Sequence, residues 1–313
     1  MSNLDVSRTV VAHTPENEAY FADFATWLSL SGRNGRGRSA RSVSAYLQDL
    51  RLFCTWFEDH TGQAFAPELI TSQDLRAYYQ HSADQERVAP ATWNRRRISL
   101  ALFCDWAHSH GKAAYNPFQG VPVMAEVSQS PHWLDKNDNA RFMRRVEQET
   151  NTAKTVLQRK NALRDQAMIS LMAYAGLRVG EVAELTQRDL LLSDRKGAVE
   201  VRNGKGGKTR RVPLGREARR ALAAWMEVQD FVDDASLFGV SARQIQRVVR
   251  SIGRQAGVAV TPHRLRHTML KRFIDSGGQL TEAAKIAGHA RLETTRVYVC
   301  PGWADLEEAV ENL

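Results

Sequence analysis

Apolar positions recur at spacings of three and four along most of this chain, which predicts a largely helical protein. Tyr20, Phe21, Phe24 and Trp27 mark a first helix over Pro15–Trp27. From Ser39, the set Val43, Leu47, Leu50, Cys54 and Phe57 predicts a second, broken by Gly62 and Pro67. Thr71-Ser72-Gln73-Asp74 opens another that ends near His81, with Thr71 or Ser72 as its N-cap. A further helix runs from about Ala91 to His110, with Ile98, Leu102 and Trp106 along one side and Gly111 at its end.

The pattern stops at Asn116–Pro131, where three prolines, a glycine and little periodicity mark a linker. It divides a helical module over 15–115 from a second domain over 132–313. In the second domain, helices are expected at Asn137–Glu149 and Lys160–Ala175, followed by a break at Gly176 and a short helix from Glu181 to Leu185. Ala198–Arg202 alternates as a strand, Asn203–Lys208 carries turn chemistry, and Thr209–Leu214 returns as a second strand. Helical signals dominate after Gly215. The fold class expected is mainly α with a small antiparallel β-sheet, in two domains.

The length of 313 residues suits one large domain or two ordinary ones. A net charge of +8 favours a polyanionic partner. Cys54, Cys104 and Cys300 are widely spaced with no Cys-x-x-Cys pair, which argues against a zinc knuckle or disulfide framework and fits a reducing compartment. The first residues lack the basic and apolar blocks of a secretory signal. No apolar stretch approaches the ~20 residues that span a bilayer. The expectation is a cytoplasmic protein with no membrane partner.

Candidate chemistry is concentrated in the second domain, and each residue has a plainer structural alternative. Arg178, just after the break at Gly176, offers a planar fork matched to phosphate oxygens, or a salt bridge to Glu181. Lys205, between Gly204 and Gly206, can approach a phosphate or a groove, or sit as an exposed hairpin lysine. Lys208 and Arg210 extend this hairpin into a basic arm able to enter a groove. His263 and Arg266 share one face of a helix opened by Pro262, where an anion binds well. Alternatively they are a capping histidine and a surface arginine. His267 lies about 100° further round and can face the core. His289 follows Gly288, and Tyr298 comes later, as a reactive phenol or a packed ring.

Other arginines suggest DNA contact. Arg243, Arg247, Arg250 and Arg254 form one stripe opposite Ile245, Val248, Val249 and Ile252, with no acid among them. Arg36, Arg38 and Arg41 lie in or just after a glycine-rich loop that is either a linker or an arm tracking the DNA backbone. Arg95 and Arg96 are further candidates, although consecutive residues fan around a helix.

A phenol, several fixed cations and two imidazoles suit attack on a phosphodiester. A phenol of pKa near ~10 needs help to attack at neutral pH. Arginine and histidine donors stabilise the charge that develops on the phosphate. A lysine or histidine can protonate the leaving alkoxide. No carboxylate cluster accompanies these residues, so two-metal hydrolysis is disfavoured and no metal or other cofactor is expected. No Gly-x-x-x-x-Gly-Lys-Ser/Thr loop is present.

Gly-Leu-Arg-x-x-Glu, Gly-Lys-Gly-x-Lys-x-Arg-x-Val-Pro-Leu, His-x-Leu-Arg-His and Gly-His-x-x-x-x-Thr-Thr-x-x-Tyr occur in that order from residue 176 to residue 298. This set resembles the tyrosine recombinase family of phage integrases and bacterial Xer recombinases. The resemblance covers about 134–299, and the N-terminal module looks like that family's core-binding domain. It implies that Arg178 and Arg266 hold the scissile phosphate, His289 hydrogen-bonds it, and Lys205 protonates the leaving 5′ oxygen. It also implies that His263 is an acid–base partner, Glu181 supports the site, and Tyr298 forms a 3′-phosphotyrosyl link. Val299-Cys300 stands where such families often carry a histidine.

The implied function is site-specific recombination through a Holliday junction, in integration, transposition or resolution. The implied partners are double-stranded DNA with an inverted-repeat core site and a homotetramer on two sites. Leu306, Ala309, Val310 and Leu313 predict a tail helix that packs on its own domain or is exchanged with a neighbouring subunit. A type IB topoisomerase and a catalytically silent DNA-binding regulator are the rival readings.

Overall fold

The computed structural model describes residues 14–31, 37–125, 132–193, 195–202, 209–229, 235–289, 292–299 and 310–311. Arg36, Lys205, Lys208, Cys300 and most of the expected tail helix lie outside the described residues. The chain divides into two compact units, Met1–Ser128 and Gln129–Leu313. The protein is mostly helical with one small antiparallel sheet. Among the described residues, no helix is long and apolar enough to cross a membrane.

The first unit contains α1 (Pro15–Leu30), α2 (Ala40–Thr61), α3 (Ser72–Gln80) and α4 (Pro90–Ser109). Each start has a local cause. Thr14 and Ser39 accept from backbone amides of the first turns of α1 and α2. Thr71 and Asp74 cap each other at α3, so Thr71, not Ser72, is the N-cap. Pro90 pre-sets the first turn of α4. A π-helical turn, His81–Gln85, carries α3 beyond its expected end. The core is aromatic, with Phe21, Phe24, Phe53, Phe57, Trp93, Phe103 and Trp106 buried together. Phe24 meets Phe103 edge-on at 5.3 Å between centroids.

In α4 the apolar period misleads. Ile98 is 47% exposed, while Trp93, Leu100, Phe103 and Trp106 form the buried face. Two polar side chains join that face because each has a partner. Ser99 donates to buried Asp49 at 2.9 Å, and Arg96 pairs with Glu86 and donates to Tyr78 Oη at 3.3 Å. The expectation that Arg96 faces DNA is therefore corrected, since its guanidinium is spent inside the unit. Arg95 pairs with Asp49 at 3.0 Å and stays half-exposed. Arg38 lies over the Tyr46 ring, and Arg41 is exposed.

The second unit is built around α6 (Val156–Tyr174), preceded by α5 (Lys136–Asn151). Ala167, Met168, Ile169, Leu171 and Met172 are buried on all sides of α6. Helices α5, α7 (Val179–Glu184), α8 (Arg216–Met226), α9 (Ala242–Gln255) and α10 (Pro262–Asp275) pack against it. Strands β1 (Leu190–Leu192), β2 (Gly197–Val201) and β3 (Arg210–Pro213) form one antiparallel sheet in that order. Val199 pairs with Val212 and Val201 with Arg210. Strand β1 was not expected, because Leu190-Leu191-Leu192 has no alternation to mark it. Helices α11 (Leu280–Ala287) and α12 (Glu293–Arg296) follow in the same unit. Helix α9 buries Ile245, Val249 and Ile252 and leaves Arg243, Arg247, Arg250 and Arg254 exposed.

Leu171→Ala should lower unfolding stability by about 2–5 kcal/mol in denaturant titration, because the void beside α6 cannot fully close. Leu157→Ala, at a position 68% exposed, should stay within about 0.5 kcal/mol of the parent.

Candidate active site

Two glycine turns frame the site. After α6 the chain turns at Gly176, with φ +67°, and a Cβ there would meet Met269 Sδ at 3.1 Å. Helix α11 ends at Gly288, with φ +61°, where a Cβ would lie 3.1 Å from Arg210 Nε. Both positions combine a left-handed backbone with crowding, so only glycine fits without strain. The first turn brings Arg178 to the start of α7, and the second brings His289 to the end of α11.

Three guanidinium groups meet at the C-terminus of α11. Arg210 Nε donates to the Ile286 carbonyl at 2.9 Å, Arg266 to the Ala287 carbonyl, and Arg178 Nη2 to the Gly288 carbonyl at 3.2 Å. Arg266 also donates to the Gly176 carbonyl, so it ties the ends of α6 and α11 together. Free carbonyls at a helix C-terminus carry partial negative charge, and cations are favoured there.

Glu181 lies between two of these arginines. Its carboxylate accepts from Arg178 Nη1 at 2.8 Å and from Arg210 Nη1 and Nη2 at 2.8 Å each, and Oε2 also accepts from the Arg178 amide at 2.8 Å. Burial alone would raise its pKa, but the arginine and backbone hydrogen bonds outweigh it and hold the carboxyl at about 2. Burial, then the neighbouring Arg178 charge, brings Arg266 down to about 10, so it remains cationic at neutral pH.

The histidines stay neutral. Burial, reinforced by the Arg266 and Arg178 charges, depresses His289 to about 4. Its Nε2 lies 3.4 Å from Arg266 Nη2 and its Nδ1 2.9 Å from Thr295 Oγ1. Burial and then the His263 and Arg266 neighbours bring His267 to about 4. His263 is exposed, and its pKa is also lowered, by desolvation and then by Arg266 and Arg178.

Tyr298 is 1% exposed, packed among Leu270, Ala283 and Ala287. Burial pushes its phenol up to about 12 against the opposing pull of Arg266 and Arg178. Its hydroxyl hydrogen-bonds His267 Nδ1.

The structure thus gathers Arg178, Glu181, His263, Arg266, His289 and Tyr298. It does not bring Arg243, Arg247 or Arg250 into this cluster. Arg210, expected on an arm facing DNA, turns inward onto Glu181 with only 12% of its side chain exposed. The reason is strand alternation: Arg210 shares the face of Val212, which is core. That signal was present in the sequence. His267 was also missed as a site residue, although its place one helical turn after His263 puts the two on one face.

A phage integrase family model matches residues 133–301, and a phage integrase N-terminal SAM-like domain model matches residues 33–111. The chain belongs to the phage integrase family. It is a tyrosine-type site-specific recombinase. The recombinase is 31% identical over 296 residues to tyrosine recombinase XerC of Chromohalobacter salexigens, covering 91% of this chain and 92% of that protein. It is 32% identical over 241 residues to XerC of Proteus mirabilis, covering 74% of each. The fold is shared with XerH recombinase bound to palindromic difH substrate in a post-cleavage complex. There the TM-score is 0.68 and the identity 19%, over 89% of this chain and 80% of that one. It is shared also with a lambda integrase dimer bound to a core site. In that case the TM-score is 0.63 and the identity 17%, over 90% and 94% of the two chains.

Glu181→Gln should destabilise the recombinase by about 3–5 kcal/mol in denaturant titration, because Arg178 and Arg210 lose their shared counter-charge. The histidines set a pH dependence. Unfolded histidines take up protons near pH 6.5, whereas His267 and His289 in the fold resist protonation until about 4. Unfolding therefore binds protons in that window, and stability falls as pH falls through it. The Tm should drop from pH 6.5 towards 4, and the double variant His267→Gln/His289→Gln should show a shallower slope.

Proposed function

We propose that Tyr298 attacks the scissile phosphate of double-stranded DNA, forming a 3′-phosphotyrosyl link and releasing a 5′ hydroxyl. Arg178, Arg266 and His289 hold the phosphate, and Glu181 keeps Arg178 in place. The observation that carries this reading is the convergence of these groups, with the phenol, around the C-terminus of α11. Arg178 keeps 32% of its side chain exposed and so has donor capacity left for an anion. A preorganised donor of this kind is worth ~3 kcal/mol to the developing phosphorane charge. Lys205, in the segment between β2 and β3, protonates the leaving oxygen, and exposed His263 serves as an acid–base partner in the reaction.

The covalent link conserves the energy of the broken bond, so rejoining needs no ATP. Cleavage and rejoining on two inverted-repeat sites, by a homotetramer, pass through a Holliday junction and accomplish integration, transposition or resolution. The relatives called XerC, and the XerH and lambda integrase structures on DNA, support duplex DNA as the partner. Arg243, Arg247 and Arg250, exposed along α9, and Arg38, Arg41 and Arg95 in the first unit supply backbone contacts.

A duplex carrying an inverted-repeat core site, nicked beside the cleavage point, should trap a protein–DNA adduct. Tyr298→Phe should abolish the adduct while retaining DNA binding in a mobility shift. Arg178→Ala should slow its formation by about 10²–10³-fold. Products with exchanged flanks would mark a recombinase; supercoil relaxation without exchange would mark a topoisomerase.

A further inference from the structure

Between His289 and Tyr298 lie two threonines, and only one turns inward: Thr294 is exposed, whereas Thr295 is completely buried. A buried hydroxyl needs a partner. Thr295 Oγ1 lies 2.9 Å from His289 Nδ1, and the Thr295 carbonyl accepts from the Tyr298 amide at 3.1 Å. One residue thus joins the imidazole beside Arg266 to the backbone of the phenol. We propose that Thr295 is a positioning residue for cleavage: its hydroxyl holds the His289 ring so that Nε2 presents a hydrogen to the scissile phosphate. This rests on the reading of His289 as a phosphate ligand.

A neutral imidazole carries a single N–H. In the free protein His289 Nε2 lies 3.4 Å from Arg266 Nη2, and an arginine nitrogen only donates. The ring proton therefore belongs on Nδ1, directed at Thr295 Oγ1. A phosphodiester oxygen only accepts, so His289 bonds it once the hydrogen is on Nε2. Burial and the arginine charges oppose imidazolium. The ring stays neutral: Nδ1 gives its proton to water, Nε2 takes one from water, and no net charge moves. Nδ1 then becomes an acceptor, and the Thr295 hydroxyl turns from accepting to donating. A hydroxyl serves both arrangements because it is donor and acceptor at once. Valine has nearly the same shape but serves neither, and it leaves a ring nitrogen unpaired in a half-buried place.

The test compares Thr295→Val and Thr295→Ser, each alone and combined with His289→Ala, in single-turnover adduct formation on the nicked duplex. Thr295→Val should slow the adduct about tenfold or more at saturating protein, because a hydrogen bond is lost and its partner is left unpaired. Affinity for the duplex in a mobility shift should not change. Thr295→Ser keeps the hydroxyl and should stay within about threefold of the parent. Beside His289→Ala, Thr295→Val should add less than about twofold, since the hydroxyl acts through the ring. A threonine that merely packs α12 would cost the same factor with or without the ring. Equal losses in the two backgrounds, a serine variant as slow as valine, or no slowing by valine would each overturn the proposal.

A second arm leaves Thr295 and His289 in place. NMR of isotope-labelled histidine rings in the Tyr298→Phe chain should show the His289 proton on Nδ1 in the free protein and on Nε2 when a half-site duplex is bound. A proton that stays on Nδ1, or a ring that becomes imidazolium, would contradict the proposal. Failure of the phosphate-ligand reading looks different: His289→Ala would then form adduct as fast as the parent. If His289→Ala is slow and Thr295→Val is not, only the role of Thr295 falls.

Discussion

One buried carboxylate makes the positive cluster tolerable. Glu181 accepts from Arg178 and Arg210 at once, and without it three guanidinium groups would share a half-buried space with no counter-charge. Two like charges about 4 Å apart repel by about 4 kcal/mol in the effective dielectric of a protein surface. Glu181 turns much of that repulsion into attraction, and because its pKa is held at about 2 it does so over the whole working pH range. The carboxylate also joins β3 to the start of α7, so the strand that follows Lys205 is tied to the turn that carries Arg178.

Backbone dipoles provide the rest of the compensation. Ile286, Ala287 and Gly288 offer successive carbonyls to Arg210, Arg266 and Arg178, and Gly176 offers another to Arg266. Two helix C-termini thereby gain the donors they lack, and the arginines gain a fixed orientation. Such a site is electropositive, and its donors are held in place by the fold. Burial, and after it the same field, keeps the histidines neutral. Neutral imidazoles accept protons and hydrogen bonds, and that complements a set of arginines that can only donate.

Much of this was legible in the chain. The helices of the first unit followed from apolar spacing, and the N-cap at Thr71 or Ser72 and the proline at the first position of α10 from residue type. The arginine stripe of α9 lies on the exposed face that its four–three–four spacing implies. The ordered motifs pointed to the family. The failures have physical causes. In α4 the buried face includes Arg96 and Ser99, so polarity no longer reports exposure. Strand β1 is a run of three leucines with no alternation. Arg210 was read as a surface charge because its neighbours are basic, although its strand parity places it inside.

The sequence by itself determined where most helices lie, which segment pairs as a hairpin, and the inventory of a phenol, imidazoles and guanidiniums. These follow from local propensity and periodicity, which act over a few residues. Only the tertiary structure decided which donor meets which acceptor. Glu181 takes Arg210 as well as its helical neighbour Arg178, and Tyr298 meets His267 rather than His263. Such pairings join residues distant in the chain, and they depend on how α6, α10 and α11 pack and on where two glycine turns aim the carbonyls.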